Sequence, residues 1–304
     1  MSDTTFTFTS PDKVEIFVRK WASLGGMPKG AVQIAHGAAE HSQRYERLAQ
    51  FLNAGGYVVY ANDHRGHGRT ALRSGKLGVA GADAWNGFVK DAGQLTDIVR
   101  RDYPISPIFF FGHSMGSLIA QDCMARWGAE FTGVILCGTT GFLPGLDALV
   151  SHMGQAAQTA ADEPSTVFGQ IFASFNAPFA PGKTAFEWLS RDESEVQKYV
   201  TDPLCGFLFS NGLAYEFLKG LRELWKPEKE ARIPKSLPIL VISGAKDPVG
   251  GNTLGITPLL ERYKSMGMQN LTRKFYPDAR HEILNETNRD EVQRDILSWL
   301  NKWC

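Results

Sequence analysis

Apolar and polar residues alternate in short blocks whose spacing changes along the chain. The opening "TFTFTSPDKVEIFVRKW" (5–21) alternates every second residue and breaks at Ser10-Pro11-Asp12, which predicts two strands joined by a turn. Continuous apolar runs follow at "AVQIAH" (31–36), "YVVYAN" (57–62), "IFFFGH" (108–113), "GVILCG" (133–138) and "ILVISG" (239–244), with "LTRKFYP" (271–277) as a weaker last strand. Between them lie helical spacings. "RYERLAQFLNAGG" (44–56) ends on a glycine stop, and "FVKDAGQLTDIVRRD" (88–102) places Phe88, Leu95, Ile98 and Val99 near one face. "LLERYKSMG" (259–267) and "RDEVQRDILSWLNKW" (289–303) complete the set. Strands alternating with helices predict an α/β fold, a mostly parallel sheet covered on both faces.

The alternation stops between about Gly141 and Ser236. That stretch predicts helices broken at Pro164, Pro178, Pro181, Pro203 and Pro227, and it holds nine of the chain's 19 phenylalanines. It is expected to form a helical cap, residues 141–236, inserted into a core made of 1–140 and 237–304. Its phenylalanines can line an apolar pocket or glue cap to core, and both roles stay open.

Composition narrows the function classes. Lysine plus arginine equals aspartate plus glutamate, 32 against 32, with no basic run, so nothing favours a nucleic-acid partner. Cys123, Cys137, Cys205 and Cys304 are scattered without CxxC spacing, which fits reduced thiols in the cytoplasm. The N-terminal "MSDTTFTFTS" does not read as a secretory signal, and no apolar run approaches the ~18 residues that span a bilayer. Peripheral contact with lipid stays open.

Chemistry concentrates at "GHSMG" (112–116), where a strand runs into a helix around one serine. A chain of this composition yields about 0.2 chance G-x-S-x-G matches, so the strand–turn–helix context carries the inference that Ser114 is a nucleophile. Serine needs a base, and the base an orienting acid. Only His281 lies beyond the predicted cap, in the loop after the last strand, and Asp247 lies just past the strand before it. Ser114, Asp247 and His281 thus stand in the chain order expected of such a triad. An oxyanion hole would draw on the backbone N–H groups of Met115 and of Ala38, in the loop after "AVQIA". His36, His41, His64 and His67 match no metal-ligand spacing and read, with Arg65, as loop braces, so no metal site is expected.

Taken together, "HGAAEHSQRY" (36–45), "DHRGHG" (63–68), "GHSMGS" (112–117), "DPLCG" (202–206), "SGAKDPVG" (243–250) and "DARHE" (278–282) resemble the monoacylglycerol lipase and lysophospholipase group of α/β-hydrolases. The resemblance spans nearly the whole chain. It implies an α/β-hydrolase fold and a serine hydrolase for single-chain acyl esters that needs no cofactor. It also implies that Glu40 and Arg44 help place the head group, while a pair that merely braces its loop is the competing reading. One departure is visible. Eukaryotic members follow the catalytic histidine with Val-Leu-His, the second histidine meeting glycerol, whereas Glu282-Ile283-Leu284 follows here. A monoglyceride enzyme and a broader esterase are both consistent with this. Amide or aminopeptidase cleavage, C–C hydrolysis, perhydrolysis and ligand binding without turnover are the remaining readings.

Overall fold

Five apolar runs of the sequence become strands that are buried along their whole length. They are β3 (Gly30–Ala35), β4 (Tyr57–Asn62), β5 (Ile108–His113), β6 (Gly133–Cys137) and β7 (Ile239–Gly244) in a computed structural model that describes residues 2–22 and 26–304. Met1 and residues 23–25, which fall within the predicted core segment, lie outside the described residues. The hairpin β1 (Ser2–Thr9) and β2 (Glu15–Ala22) and the edge strand β8 (Leu271–Tyr276) complete an eight-stranded sheet of order β1-β2-β4-β3-β5-β6-β7-β8. Pairing is parallel from β4 through β8, and β1 and β2 are added antiparallel.

Strand side chains point alternately to the two faces, and each face has its own apolar layer. Val58, Tyr60, Ile108, Phe110, Val134, Leu136 and Val241 belong to one layer, and Val59, Ala61, Phe109, Phe111, Ile135 and Ile242 to the other. The helices among the described residues are α1 (Glu46–Ala54), α2 (Gly68–Ser74), α3 (Ala84–Asp102), α4 (Met115–Trp127), α5 (Leu146–Thr159), α6 (Thr166–Asn176), α7 (Glu193–Thr201), α8 (Asn211–Leu224), α9 (Pro227–Glu230), α10 (Thr257–Ser265) and α11 (Arg289–Lys302). The first layer is covered by α3, α4, α8 and α10, the second by α1 and α11.

Helix starts differ from the sequence reading in three places, the helix expected from Leu259 beginning two residues earlier at Thr257. The helix expected from Phe88 begins at Ala84, because Ala84 and Trp85 are also buried on its core face. The one expected from Arg44 opens with a 3₁₀ turn, Ser42–Tyr45, before α1 begins at Glu46. Between β6 and β7 the described chain forms helices joined by loops, with one isolated bridge, Pro164 to Ser210, in place of any strand. Parallel strands deliver their loops to one edge of the sheet, so the segments after β3, β5, β6, β7 and β8 gather there.

Candidate active site

Ser114 is the hinge between β5 and α4. Its backbone stands at φ 52°, ψ −121°, a strained conformation for a residue with a side chain, and it turns strand into helix within one residue. Glycines make the turn possible. A Cβ on Gly112 would stand 2.3 Å from the Gly116 carbonyl oxygen, and one on Gly116 only 2.0 Å from that of Ala35. The hinge is held from behind, where the Ser114 N–H donates to Cys137 O at 2.9 Å. The Ser117 hydroxyl donates to the Ser114 carbonyl at 2.6 Å. Met115 is then the first residue of α4, where helical N–H groups are free to face negative charge.

Asp247 and His281 come together from separate loops. The His281 Nδ1 lies 2.9 Å from both carboxylate oxygens of Asp247. Asp247 also accepts from the Val249 N–H at 2.9 Å and the Ser243 hydroxyl at 3.1 Å, which fixes the carboxylate plane. Burial alone would raise the Asp247 pKa, but His281 and these donors outweigh it and hold the carboxyl below its ordinary value. For His281 burial works downward, and the Asp247 charge and hydrogen bond overcome it and raise the imidazole pKa. With Nδ1 bonded to the carboxylate, Nε2 is the nitrogen left to accept a proton. The ring lies between His113 and Trp188, at centroid distances of 4.8 and 5.1 Å. Its loop hangs on the chain between β6 and β7: the His281 N–H donates to Trp188 O at 3.2 Å and the Glu282 N–H to Leu189 O at 2.7 Å.

The loop after β3 approaches Ser114 closely, since a Cβ on Gly37 would stand 3.2 Å from the Ser114 Cβ. The Gly37 N–H is occupied, donating to Glu40 Oε1 at 2.6 Å. Ala38 and Met115 both line the cavity that Ser114 faces. Glu40 and Arg44 are drawn together with Glu282. Arg44 donates to Glu40 at 2.6 Å and makes two parallel bonds to Glu282 at 2.6 and 2.7 Å, while the Tyr45 hydroxyl donates to Glu40 at 2.7 Å. Arg44 thereby joins the loop after β3 to the residue following His281. Burial would raise the Glu282 pKa, but the Arg44 charge and hydrogen bonds, with His113 and Asn285, together outweigh it and lower it to about 2.

Ser114 opens onto an apolar cavity of about 620 Å³. Phe142, Phe168, Phe172, Phe175 and Phe217 stand on its wall beside Trp188 and Met115. A chamber of about 20 Å³ beside it is shared by Ser114, His281, Ala38, His113, Glu40 and Glu282.

A family model described as serine aminopeptidase, S33, matches residues 26–288. The monoacylglycerol lipase of Mycolicibacterium smegmatis is 33% identical over 277 residues, covering 90% of this chain and 88% of the relative. The monoglyceride lipase of Mus musculus is 31% identical over 291 residues, covering 95% and 86%. Among solved structures, a thermostable carboxyl esterase from Bacillus coagulans in complex with glycerol superposes with a TM-score of 0.92 at 32% identity, covering 99% of each chain. The chain belongs to the monoacylglycerol lipase-like α/β-hydrolases. It is a carboxylic ester hydrolase of that family.

In this α/β-hydrolase the phenylalanines between β6 and β7 serve both roles. Those on the cavity wall are joined by Phe207 and Phe209, whose rings pack on His67 at 5.2 and 5.4 Å and tie the segment to the core. His36, His64 and His67 meet in tilted and edge-on ring contacts, and Arg65 is clamped between Asp12 and Asp91. Cys137 is buried in the second apolar layer. Glu282, Trp188 and Leu189 escape a reading along the sequence: Glu282 acts through Arg44, outside its own motif, and Trp188 and Leu189 act by main-chain carbonyls, which no residue pattern encodes. Ser243 shares a motif with its partner Asp247, four residues on, but its hydroxyl carries no signal of its own there. Among the described residues, no helix is long and apolar enough to cross a membrane.

Proposed function

We propose that Ser114, His281 and Asp247 form the catalytic triad of an enzyme that hydrolyses single-chain acyl esters, monoacylglycerols foremost. The observation that carries this reading is that Ser114, strained at the end of β5, lies on the wall of a largely apolar 620 Å³ cavity, in the chamber shared with the Asp247-bound histidine. His281 Nε2 takes the hydroxyl proton as Ser114 Oγ attacks the ester carbonyl. The Ala38 and Met115 amides stabilise the oxyanion, and His281 returns its proton to the leaving alcohol. Water then attacks the acyl-enzyme carbonyl as the same histidine takes its proton, and the Ser114 Oγ–acyl bond breaks with that proton returned to Ser114, releasing the fatty acid. Every group in this sequence is the chain's own or water.

Residues 141–236 serve as the cap that closes the acyl cavity over the core of 1–140 and 237–304. Phe142 is 55% and Leu254 77% exposed where they line the cavity, and they suit peripheral contact with a lipid surface. Four free cysteines suit a cytoplasmic setting. Glu40 and Arg44 act on the head group indirectly, by holding the chamber's shape, because their polar atoms are engaged with each other, Gly37, Tyr45 and Glu282.

The description of the matching family model favours a second reading, release of N-terminal residues from peptides. An α-ammonium bound beside Ser114 would need a carboxylate to itself, and both in the chamber share Arg44. A series of p-nitrophenyl esters, monoacylglycerols and lysophospholipids, run beside aminoacyl amides, separates the two. Turnover of medium- and long-chain esters that is abolished in a folded Ser114→Ala variant supports the ester reading. Cleavage of amides alone, or full ester turnover in Ser114→Ala, overturns it.

A further inference from the structure

Outside the acyl cavity, three donors of different chemistry meet where residues 202–206 pack on the loop after β3. His41 Nε2 lies 2.9 Å from Asp202 Oδ2. The ligand atoms of His41, Asp202 and Cys205 all fall within 4.8 Å of one another. No other such group that could hold an ion occurs among the described residues. We propose that His41, Asp202 and Cys205 bind a borderline divalent cation, Zn²⁺ or its surrogate Cd²⁺, which fastens residues 202–206 to the loop carrying Ala38.

The donor set decides the class of metal. One imidazole nitrogen, one carboxylate oxygen and one sulfur suit zinc-like ions and leave a fourth position for water. Calcium and magnesium want oxygen ligands throughout. Metal–ligand lengths of about 2.0–2.3 Å place tetrahedral donors roughly 3.3–3.7 Å apart, so His41 and Asp202, at 2.9 Å, part slightly and the longer separations, within 4.8 Å, close by about 1 Å. Side-chain rotation supplies that distance. The backbone already aims two of them: Asp202 Oδ1 accepts from the Leu204 N–H at 2.8 Å, and the Cys205 N–H donates to Asp202 O at 3.0 Å. This turn occupies Oδ1 and leaves Oδ2 toward His41. The Asp202 side chain is 29% exposed and Cys205 is half-buried, so an ion can enter from solvent. The nearby Arg44 does not repel it, since two carboxylates neutralise that charge.

The consequence is mechanical. The same segment and the end of α7 before it grip Ala39, whose carbonyl accepts from the Gly206 N–H at 2.9 Å and the Tyr199 hydroxyl at 3.0 Å. Ala39 stands at φ 53°, a left-handed conformation beside Ala38. An ion at His41 replaces the direct His41–Asp202 contact with a metal bridge that also takes in Cys205, and the ester reading is not needed for it to bind. The expectation of no metal at His41 rested on spacing within the two histidine-bearing loops. The other ligands come from far along the chain, Asp202 being 161 residues away.

The test uses the full chain in a Cys304→Ser background, because Cys304 is exposed while Cys123 and Cys137 are buried. Titration with Cd²⁺ is expected to raise a thiolate-to-cadmium absorption band that saturates at one ion per chain. Cys205→Ser should abolish the band, and His41→Gln should weaken binding at least about tenfold, each variant's fold being checked by circular dichroism. Zn²⁺ should raise the melting temperature of the parent and not of Cys205→Ser. It should also slow amide exchange in residues 36–41 and 199–206. A band that survives Cys205→Ser, unchanged affinity in His41→Gln, or no Zn²⁺-dependent stabilisation of the parent would overturn the proposal.

Discussion

Arg44 places one positive charge between two buried carboxylates, and that arrangement sets what its removal does. In Arg44→Met, Glu40 and Glu282 would share a buried site without a counter-charge, an expected loss of about 3–5 kcal/mol in stability, measurable by urea denaturation. Glu282→Gln probes the site in a different way. His281 is faced by Asp247, Glu282 and Glu40 and, from β5, by His113; the first three favour the imidazolium. If His281 is the base, as proposed, it must be neutral to act, so the acid limb of kcat/KM in the parent should lie above pH 6.5, the ordinary histidine value. Deleting the Glu282 charge lowers the His281 pKa, and the limb should move to lower pH. A limb that stays fixed would show that Arg44 already cancels the Glu282 field at the base. The proposed triad is legible in sequence because Ser114, Asp247 and His281 follow separate strands in order. The Arg44–Glu282 contact is not, since 238 residues separate the partners.

At the scale of elements, the sheet is readable because parallel strands buried on both faces must be apolar throughout. Helix starts are less so, because Ala84 and Trp85 belong to α3 through packing against the core rather than through a local signal. The turn at Ser114 depends on absent atoms, and this gives a sharp contrast between glycines. Gly116→Ala drives a methyl group into the Ala35 carbonyl, a backbone atom that cannot rotate away. It should cost about 3 kcal/mol or more and lower ester turnover, read from denaturation midpoints and initial rates. Gly267, at φ 79° with nothing within 4 Å of an added Cβ, pays only for its backbone conformation. Gly267→Ala should cost about 1–2 kcal/mol and leave turnover intact. Equal effects at the two sites would refute the crowding argument.

For the molecule as a whole, four buried histidines govern acid stability. Burial lowers His36 and His64, the latter to about 3, with the neighbouring histidines adding to the effect. Burial likewise lowers His67 to about 4 and His113 to about 4, the charge of His281 contributing to the last. Unfolded, each titrates near 6.5, so below that pH the unfolded chain binds more protons. Stability is therefore complete above pH 6.5 and is lost as pH falls toward the folded values. The loss is about 1.4 kcal/mol per pH unit for each histidine, approaching about 5 kcal/mol per unit for all four. His281, raised instead, gives up its smaller contribution as pH climbs above 6.5. Urea midpoints should drop steeply between pH 6.5 and 5, and a flat profile there would contradict the assignment.

The two main-chain bonds from His281 and Glu282 to Trp188 and Leu189 bear on how such an enzyme can change. On the proposed mechanism selectivity and rate share one hinge, because the stretch that lines the cavity also holds the backbone of the His281 loop. Grafting residues 141–236 from a relative should therefore slow turnover of every ester together, instead of merely redirecting preference, unless the graft restores those two carbonyls. Divergence in this lineage would then proceed by small revisions of the pocket wall rather than by exchange of whole modules.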